Sequence, residues 1–299
     1  MKITPPICLL LVAISAMTCK QQTGPYMGQE PPGREAKLFA PGVVSQEGRY
    51  EYGSYFSNNG KEFYYAVIVN GKPQIWVSRL EDTSTSWTDP EVVLASDKYE
   101  YNDPFLSPDG KRLFFISDRA LDGQGDKKDF DIWYVERKDN GWSEPISSGP
   151  AINTDKNEYY MSFTTDGTMY FSSNGEGESP ANKNYNIRFA KFSGGQFHPS
   201  QKLGDSVNSE YYEADVFVSP DEQYVIFCAE RPDGMGQGDL YISFKDEQGQ
   251  WQKAKNMGKA INTDKYEFCP FVSSDGKYLF FSRDGDVFWI SAELIHTLN

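Results

Sequence analysis

Five glutamates, Glu51, Glu100, Glu158, Glu213 and Glu267, recur along this 299-residue chain, each opening the same apolar–turn–apolar pattern. Tyrosines precede four of the pattern's openings, at Tyr50, Tyr99, Tyr212 and Tyr266. Carboxylates repeated in this way suit two kinds of chemistry. Gathered in a ring, they would hold a hard cation or a basic side chain. Dispersed, each would accept backbone N–H groups from a neighbouring loop and lock one repeat to the next. A ring of close carboxylates repels itself and raises its own pKa values, which favours the dispersed arrangement.

Other catalytic chemistry has little material. The two histidines, His198 and His296, give no basis for a histidine-ligated zinc site or a Ser-His-Asp triad. The sequence contains no G-x-S-x-G, H-E-x-x-H or phosphate-loop pattern. Asp122, Asp126, Asp129 and Asp131 cluster oxygens around two glycines but lack EF-hand spacing and a closing glutamate. They read as solvated loop charge, with a bound Ca2+ as the alternative, and no other cofactor is expected.

The elements that position these residues follow from the repeat itself. The turns SNNG, SPDG, TTDG, SPDE and SSDG place Gly60, Gly110, Gly167, Glu222 and Gly276 at intervals of 50, 57, 55 and 54 residues. A period of this size with a strand–turn–strand signal belongs to a propeller blade of about four strands. Strand A follows the glutamate. Strand B is the β-branched and aromatic run at 63–67, 113–116, 169–172, 224–227 and 279–282. Strand C carries Ile75, Ile132, Ile187, Leu240 and Val287, and strand D begins at Trp87, Trp142, Phe197 and Trp251, read as packing aromatics. The fifth unit stops after strand C. Residues 38–51 align with 87–100, Leu38 taking the tryptophan position, so the N-terminal strand is expected to complete the last blade. The expected fold is all-β, a five-bladed β-propeller of four-stranded antiparallel blades over 37–299, with no open edge.

Five such turns, with I-N-T-D-K-x-E upstream and D-I-W/Y downstream, resemble the TolB-like, WD40-like β-propeller repeat over about residues 38–291. Members of that family usually carry six blades. The resemblance implies a protein-docking scaffold, an accessory domain or an exported lipoprotein. Separately, Asn102-Asp103-Pro104-Phe105 looks like the strand opening of arabinanase-like and xylosidase-like five-bladed enzymes. That second resemblance implies a carboxylate-dependent glycoside hydrolase, with Asp103 as base and Glu158 or Glu213 as acid.

The N-terminus carries Lys2, an apolar run from Ile7 to Ile14, small residues and Cys19. This reads as a secretory signal over 1–18, too short to span a membrane. Ala16-Met17-Thr18-Cys19 resembles a lipoprotein signal, which implies lipidation of Cys19, and Lys20 after it implies the outer membrane. Residues 19–36, rich in Gly, Pro and Gln, read as a flexible tether. The net charge of −14 disfavours nucleic acid and anionic lipid surfaces, so the membrane is met only through the anchor. Cys228 and Cys269 are read as buried free thiols, with a disulfide as the alternative.

Strand alternation puts the A–B and C–D turns on one rim and the B–C and D–A connections on the other. The B–C loops are short at Asn70-Gly71 and Asp284-Gly285 but long at 120–130, 175–185 and 231–238. Variable loops on one side of a rigid ring are where binding concentrates. Arg119, Asp122, Asn182, Tyr185, Arg231 and Met235, around the glutamates, are the contact candidates. The expected protein is a monomeric, non-catalytic envelope propeller that binds a protein partner or a polysaccharide on this rim.

Overall fold

The computed structural model describes residues 22–82, 85–175 and 185–299. Their strands form five antiparallel sheets, each with a four-strand path, arranged as a five-bladed β-propeller, and a separate two-stranded hairpin, Phe192–Ser193 with Gln196–Phe197. Strand A is Glu51–Phe56, Asn102–Leu106, Glu158–Phe163, Tyr212–Val218 and Glu267–Val272 in blades 1 to 5. Strand B is Glu62–Val69, Arg112–Ser117, Met169–Ser173, Tyr224–Glu230 and Tyr278–Arg283. Strand C is Lys72–Arg79, Asp131–Lys138, Asn186–Ala190, Asp239–Phe244 and Asp286–Ser291. The A strands, buried on both faces, surround the axis and touch one another between blades.

The repeated Ser-x-Asp-Gly turn has a local cause. The Ser107 hydroxyl donates to Asp109 Oδ1 (2.6 Å) and accepts the Arg112 N–H (3.0 Å), while Asp109 Oδ1 accepts the Lys111 N–H (3.1 Å). Gly110 supplies the left-handed backbone that closes the turn, φ 68°. Ser273 with Asp275 and Ser57 with Asn59 make the same set of bonds.

The asparagine of I-N-T-D has an equally specific task. Asn153 accepts the Ile132 N–H (3.0 Å) and donates to the Ile132 carbonyl (2.9 Å), acting as a one-residue strand partner for strand C. Asn208 does this for Ile187 and Asn262 for Leu240. Satisfying both buried backbone groups explains why the residue recurs.

Strand D is Glu91–Leu94, Ile146–Ser147, Gln201–Lys202 and Lys255–Asn256 in blades 1 to 4. It begins four residues after each of Trp87, Trp142, Phe197 and Trp251, which instead extend the C–D hairpin. Trp142 stacks under Arg137 (4.5 Å) and Trp251 under Lys245 (4.9 Å). Blade 5 takes its outer strand from the N-terminus: Lys37–Leu38 pairs antiparallel with strand C, Lys37 opposite Trp289 and Leu38 opposite Phe288. Leu38 is therefore part of the outer strand itself. The anchor is the next residue, Phe39, fully buried against Phe56, Phe63, Phe280 and Trp289.

The segment expected to be a tether is packed from Gln22 onward. Its backbone bonds to Thr85 and Trp87, Met27 is fully buried, and Tyr26 lies against Phe56 and Tyr278 and donates to Asp275 (2.8 Å). Apolar Tyr26 and Met27 outweigh the loop-like composition around them, and the segment staples blade 1 to blade 5. Cys19 and the signal lie outside the described residues. Among the described residues, no helix is long and apolar enough to cross a membrane.

Candidate functional site: an axial funnel floored by carboxyls

The glutamates do not form a ring around the axis. Glu51, Glu158, Glu213 and Glu267 are 0% exposed, and each serves its own blade. Glu158 accepts the Thr154 N–H (3.1 Å) and the hydroxyls of Thr154 (2.8 Å) and Ser173 (2.9 Å). Glu213 takes the N–H and hydroxyl of Ser209 and an ion pair from Arg231 (2.9 Å). Glu267 takes Thr263 and Arg283 (2.7 Å), and Glu51 takes Arg49. Burial pushes the Glu158 carboxyl up to about 7 against the pull of its hydrogen bonds, and raises Glu51 despite Arg49.

Glu100 stands apart from the other four. It is partly exposed and paired with Lys127 (2.8 Å), and Tyr101 occupies the buried position, receiving a bond from Arg119 (3.4 Å). The backbone N–H groups at this position join each blade to the one before: Glu51 to Gly285, Tyr101 to Pro73, Glu158 to Phe130, Glu213 to Tyr185 and Glu267 to Gly238.

Two residues after this position every A strand carries a bulge. The register shifts in all five, and Gly53, Asp103, Tyr160, Asp215 and Cys269 all have positive φ, between 35° and 56°. A bulge re-aims a side chain out of the sheet alternation, and a non-glycine residue held in this region costs about 1–3 kcal/mol. Four of the five pay that strain, and it directs their side chains at the axis. The bulge also frees the backbone at Pro104 and Pro270 from ladder pairing.

Asp103, Asp215 and Cys269 line a cavity of about 450 Å3 at the mouth of the axis. Asp103 is 7% exposed and Asp215 9%. The Cys269 thiol donates to Asp103 Oδ1 (3.4 Å), and the Cys269 backbone N–H serves Asp215. The Tyr160 hydroxyl spans to the Pro270 carbonyl (2.9 Å). Gly53 is required beside Asp103, because a Cβ there would fall 2.4 Å from Asp103 Oδ1. Burial pushes the Asp103 carboxyl up to about 8, with the charge of Asp215 adding to it and the thiol bond opposing it. Burial likewise takes Asp215 up to about 7.

Aromatic rings form the wall. Phe130, Tyr159, Tyr185 and Tyr212 follow one another at 5.3, 5.5 and 5.5 Å between centroids, the first pair tilted and the other two edge to face. Tyr266 and Phe268 (5.5 Å) and then Tyr52 (6.1 Å) continue the girdle, and the Tyr52 hydroxyl closes it on Asn102. Below the carboxyls, Tyr55, Phe105, Phe217 and Phe271 plug the axis, with Tyr55 at 4.0 Å from Phe105 and 4.9 Å from Phe271. The cavity is therefore a blind funnel, open on the rim of the B–C loops. No lysine, arginine or histidine is among the described residues that line it.

A wider groove of about 550 Å3 lies on the opposite rim between blades 2 and 3. Its charged groups are already engaged, Arg112 with Glu136 and Arg137 with Glu62, and Asp109 and Asp166 within their turns. The smaller funnel is the better candidate because its two buried carboxyls, Asp103 and Asp215, have no cationic partner among the described residues, while Glu100 at its mouth is paired with Lys127.

The other loop candidates have separate places. Tyr185 is in the funnel wall. Arg119 stacks between Tyr99 (5.7 Å) and Trp133 (5.2 Å), and Arg231 is turned inward onto Glu213. Met235 is 49% exposed on the rim. Asp122 caps its own loop through the Gln124 and Gly125 N–H groups (2.9 and 2.7 Å), and Asp131 pairs with Lys128 (2.7 Å). Among the described residues, no group of three or more His, Cys, Asp or Glu is placed to hold a metal. Asn182 lies outside the described residues. Cys228 and Cys269 are both buried and free. Asp215, Tyr52, Tyr159 and Phe268 are funnel residues that sequence reasoning did not single out, and Cys269 was read there only as a buried thiol. Their signal is positional: one or two places after the buried residue of each unit.

No known family and no curated protein matches the sequence. Among solved structures, the fold is similar to TolB from Acinetobacter baumannii, with TM-score 0.50 and 16% identity over 81% of this chain and 54% of that one. The chain thus spans about half of TolB's length. It is also similar to a protein of unknown function from Dyadobacter fermentans, with TM-score 0.53 and 14% identity over 87% of this chain and 83% of that one. At these identities the likeness is one of fold: a TolB-like β-propeller.

Proposed function

We propose that this chain is an exported, lipid-anchored recognition propeller of the cell envelope that binds a protein partner or a glycan at the funnel rim without catalysing a reaction. The observation that carries this reading is the blind aromatic funnel, set on the rim that bears the long B–C loops. Rings give contact area at low entropy cost, and a plugged axis gives a pocket in place of a pore. The test is retention of the chain from Lys20 onward on polysaccharides, peptidoglycan and envelope proteins, with mass spectrometry of anything released. The reading expects retention without products, weakened in Tyr159→Ala/Tyr212→Ala.

A second reading, a carboxylate-dependent glycoside hydrolase, is favoured by one observation: Asp103 and Asp215 share the funnel. Glu158 and Glu213, the acids first paired with Asp103, are committed to their loops, so Asp215 takes that place. Products that disappear in Asp103→Asn would establish this reading and overturn the first.

A further inference from the structure

We propose that the funnel receives a primary alkylammonium group, with its nitrogen over Asp103, Asp215 and Asn102 and its alkyl chain between the tyrosine rings. This rests on the reading that the funnel rim is the binding face, and it names the chemistry that rim would select.

Three observations converge. The floor is acidic: the Asp103 and Asp215 carboxyls line the cavity beside Asn102, whose Oδ1 also accepts the Tyr52 hydroxyl, and the described lining residues include no cation to compensate them. The two carboxyls are nine-tenths buried, and the contacts they do have are to the thiol and backbone of Cys269. An ammonium brings three N–H donors and the counter-charge with which such a floor can ionise, whereas a neutral sugar brings no counter-charge and leaves the two acids protonated. The wall is a girdle of ring edges and faces, the surround that attracts an organic cation. The chain's net charge of −14 draws cations toward it.

Proton release follows from this geometry. The groups facing the site are Asp103, Asp215, the thiols of Cys269 and Cys228, and the hydroxyls of Tyr52, Tyr159, Tyr160, Tyr185, Tyr212 and Tyr266, the Tyr185 hydroxyl being raised by burial to about 12. Burial raises the thiols and these hydroxyls above their ordinary values, so they stay neutral below pH 9. Glu100, at the mouth, is paired with Lys127. Glu158, raised to about 7, titrates behind Tyr185 and does not line the cavity. The two aspartates, raised to about 8 and about 7, are therefore the groups that must ionise when the cation enters.

The source of the ammonium, a free amine or a lysine side chain, is separated by the probes. We would titrate the chain from Lys20 onward, which contains every described strand, with n-butylammonium, tetramethylammonium and N-acetyl-lysine amide at matched ionic strength, by calorimetry at pH 6 and pH 8.5. The expected result is saturable binding of a primary ammonium that is about tenfold tighter at pH 8.5, with proton release seen in buffers of different ionisation heat. Tetramethylammonium, which has no N–H donors, should bind more weakly. Tighter binding of the lysine amide points to a polypeptide partner, and tighter binding of butylammonium to a free amine. Asp103→Asn/Asp215→Asn should abolish binding, and because it removes two buried ionisable groups it should fold at least as well. No saturable binding at pH 8.5, or binding unchanged in the double variant, overturns the inference. Glycan retention sensitive to Tyr159→Ala/Tyr212→Ala would in that case leave the rim as the binding face. Loss of both would sink both readings.

Discussion

The Cys269 thiol donates to Asp103 Oδ1 across the propeller axis, 3.4 Å away, joining blades 5 and 2, which are not neighbours in the ring. The contact exists because both residues sit at the bulge of their A strands and Gly53, on the blade between them, has no side chain in the way. The axis is thus organised by strained positions that place acids where the fold alone would put apolar residues.

The first consequence is an unusual dependence of stability on pH. The folded-state carboxyls of Asp103 and Asp215 are raised to about 8 and about 7, above an unfolded value of about 4. Their contribution is fully present below pH 4 and is lost as pH rises through 7 and 8. Turn aspartates such as Asp109, Asp166 and Asp275 are lowered, so their contribution is lost in acid. Thermal unfolding should therefore show a maximum near pH 5–6 and a decline toward pH 9. Asp103→Asn should flatten that decline and raise Tm at pH 9 relative to the parent. A Tm that keeps rising to pH 9 would contradict the placement of these acids.

Gly53→Ala tests the crowding at the axis. Its φ of 56° costs an L-residue about 1–2 kcal/mol on its own account, and the new Cβ must also displace Asp103. Urea denaturation should show a loss above that range, with the double variant Gly53→Ala/Asp103→Gly recovering part of it. Additive losses would mean the two positions do not meet.

Closure of the ring by the N-terminal strand depends on Phe39. Phe39→Ala should destabilise by about 3–5 kcal/mol, because a fully buried ring among four aromatic neighbours leaves a cavity. Limited proteolysis should then cut first in the 40–50 segment. An unchanged midpoint would mean that blade 5 does not need its outer strand.

Asn262→Ala removes the side chain that satisfies both backbone groups of Leu240. The Leu240 carbonyl keeps the Met257 N–H (3.0 Å), so the cost is that of the N–H left buried and unpaired, about 1–3 kcal/mol. The amide of Leu240 should lose hydrogen-exchange protection, while Asn153→Ala, which removes the same pair of bonds from Ile132 in blade 2, should leave that amide unchanged.

Much of the fold was legible in the sequence because its signals are local and repeat. Ser107-Pro108-Asp109-Gly110 dictates a turn through bonds spanning five residues, and five such turns at blade spacing fix the blade count. The closing strand was legible as a leftover unit, though its register was misplaced, since Phe39 buries itself through contacts with residues far along the chain. The funnel was less legible. Asp103 stood out through its neighbour Pro104, but Asp215 and Cys269 acquire their position from a bulge that reverses inward and outward sides, and hydrophobic alternation cannot report such a reversal. Glu158 and Glu213 looked like chemistry because they recur, yet each is absorbed by its own D–A loop. The same residue type at the same phase can differ, as Glu100 and Tyr101 show, because one inserted residue moves the acid to the surface.

The most direct test of the account is retention of the chain from Lys20 onward on envelope polysaccharides, peptidoglycan and proteins, against the same chain carrying Tyr159→Ala/Tyr212→Ala. Two rings worth about 0.5–1.5 kcal/mol each beyond their buried area should together weaken binding about tenfold or more. The account predicts retention by the parent, its loss in the variant and no released products. Equal retention by both chains, or soluble products that vanish in Asp103→Asn, would contradict it.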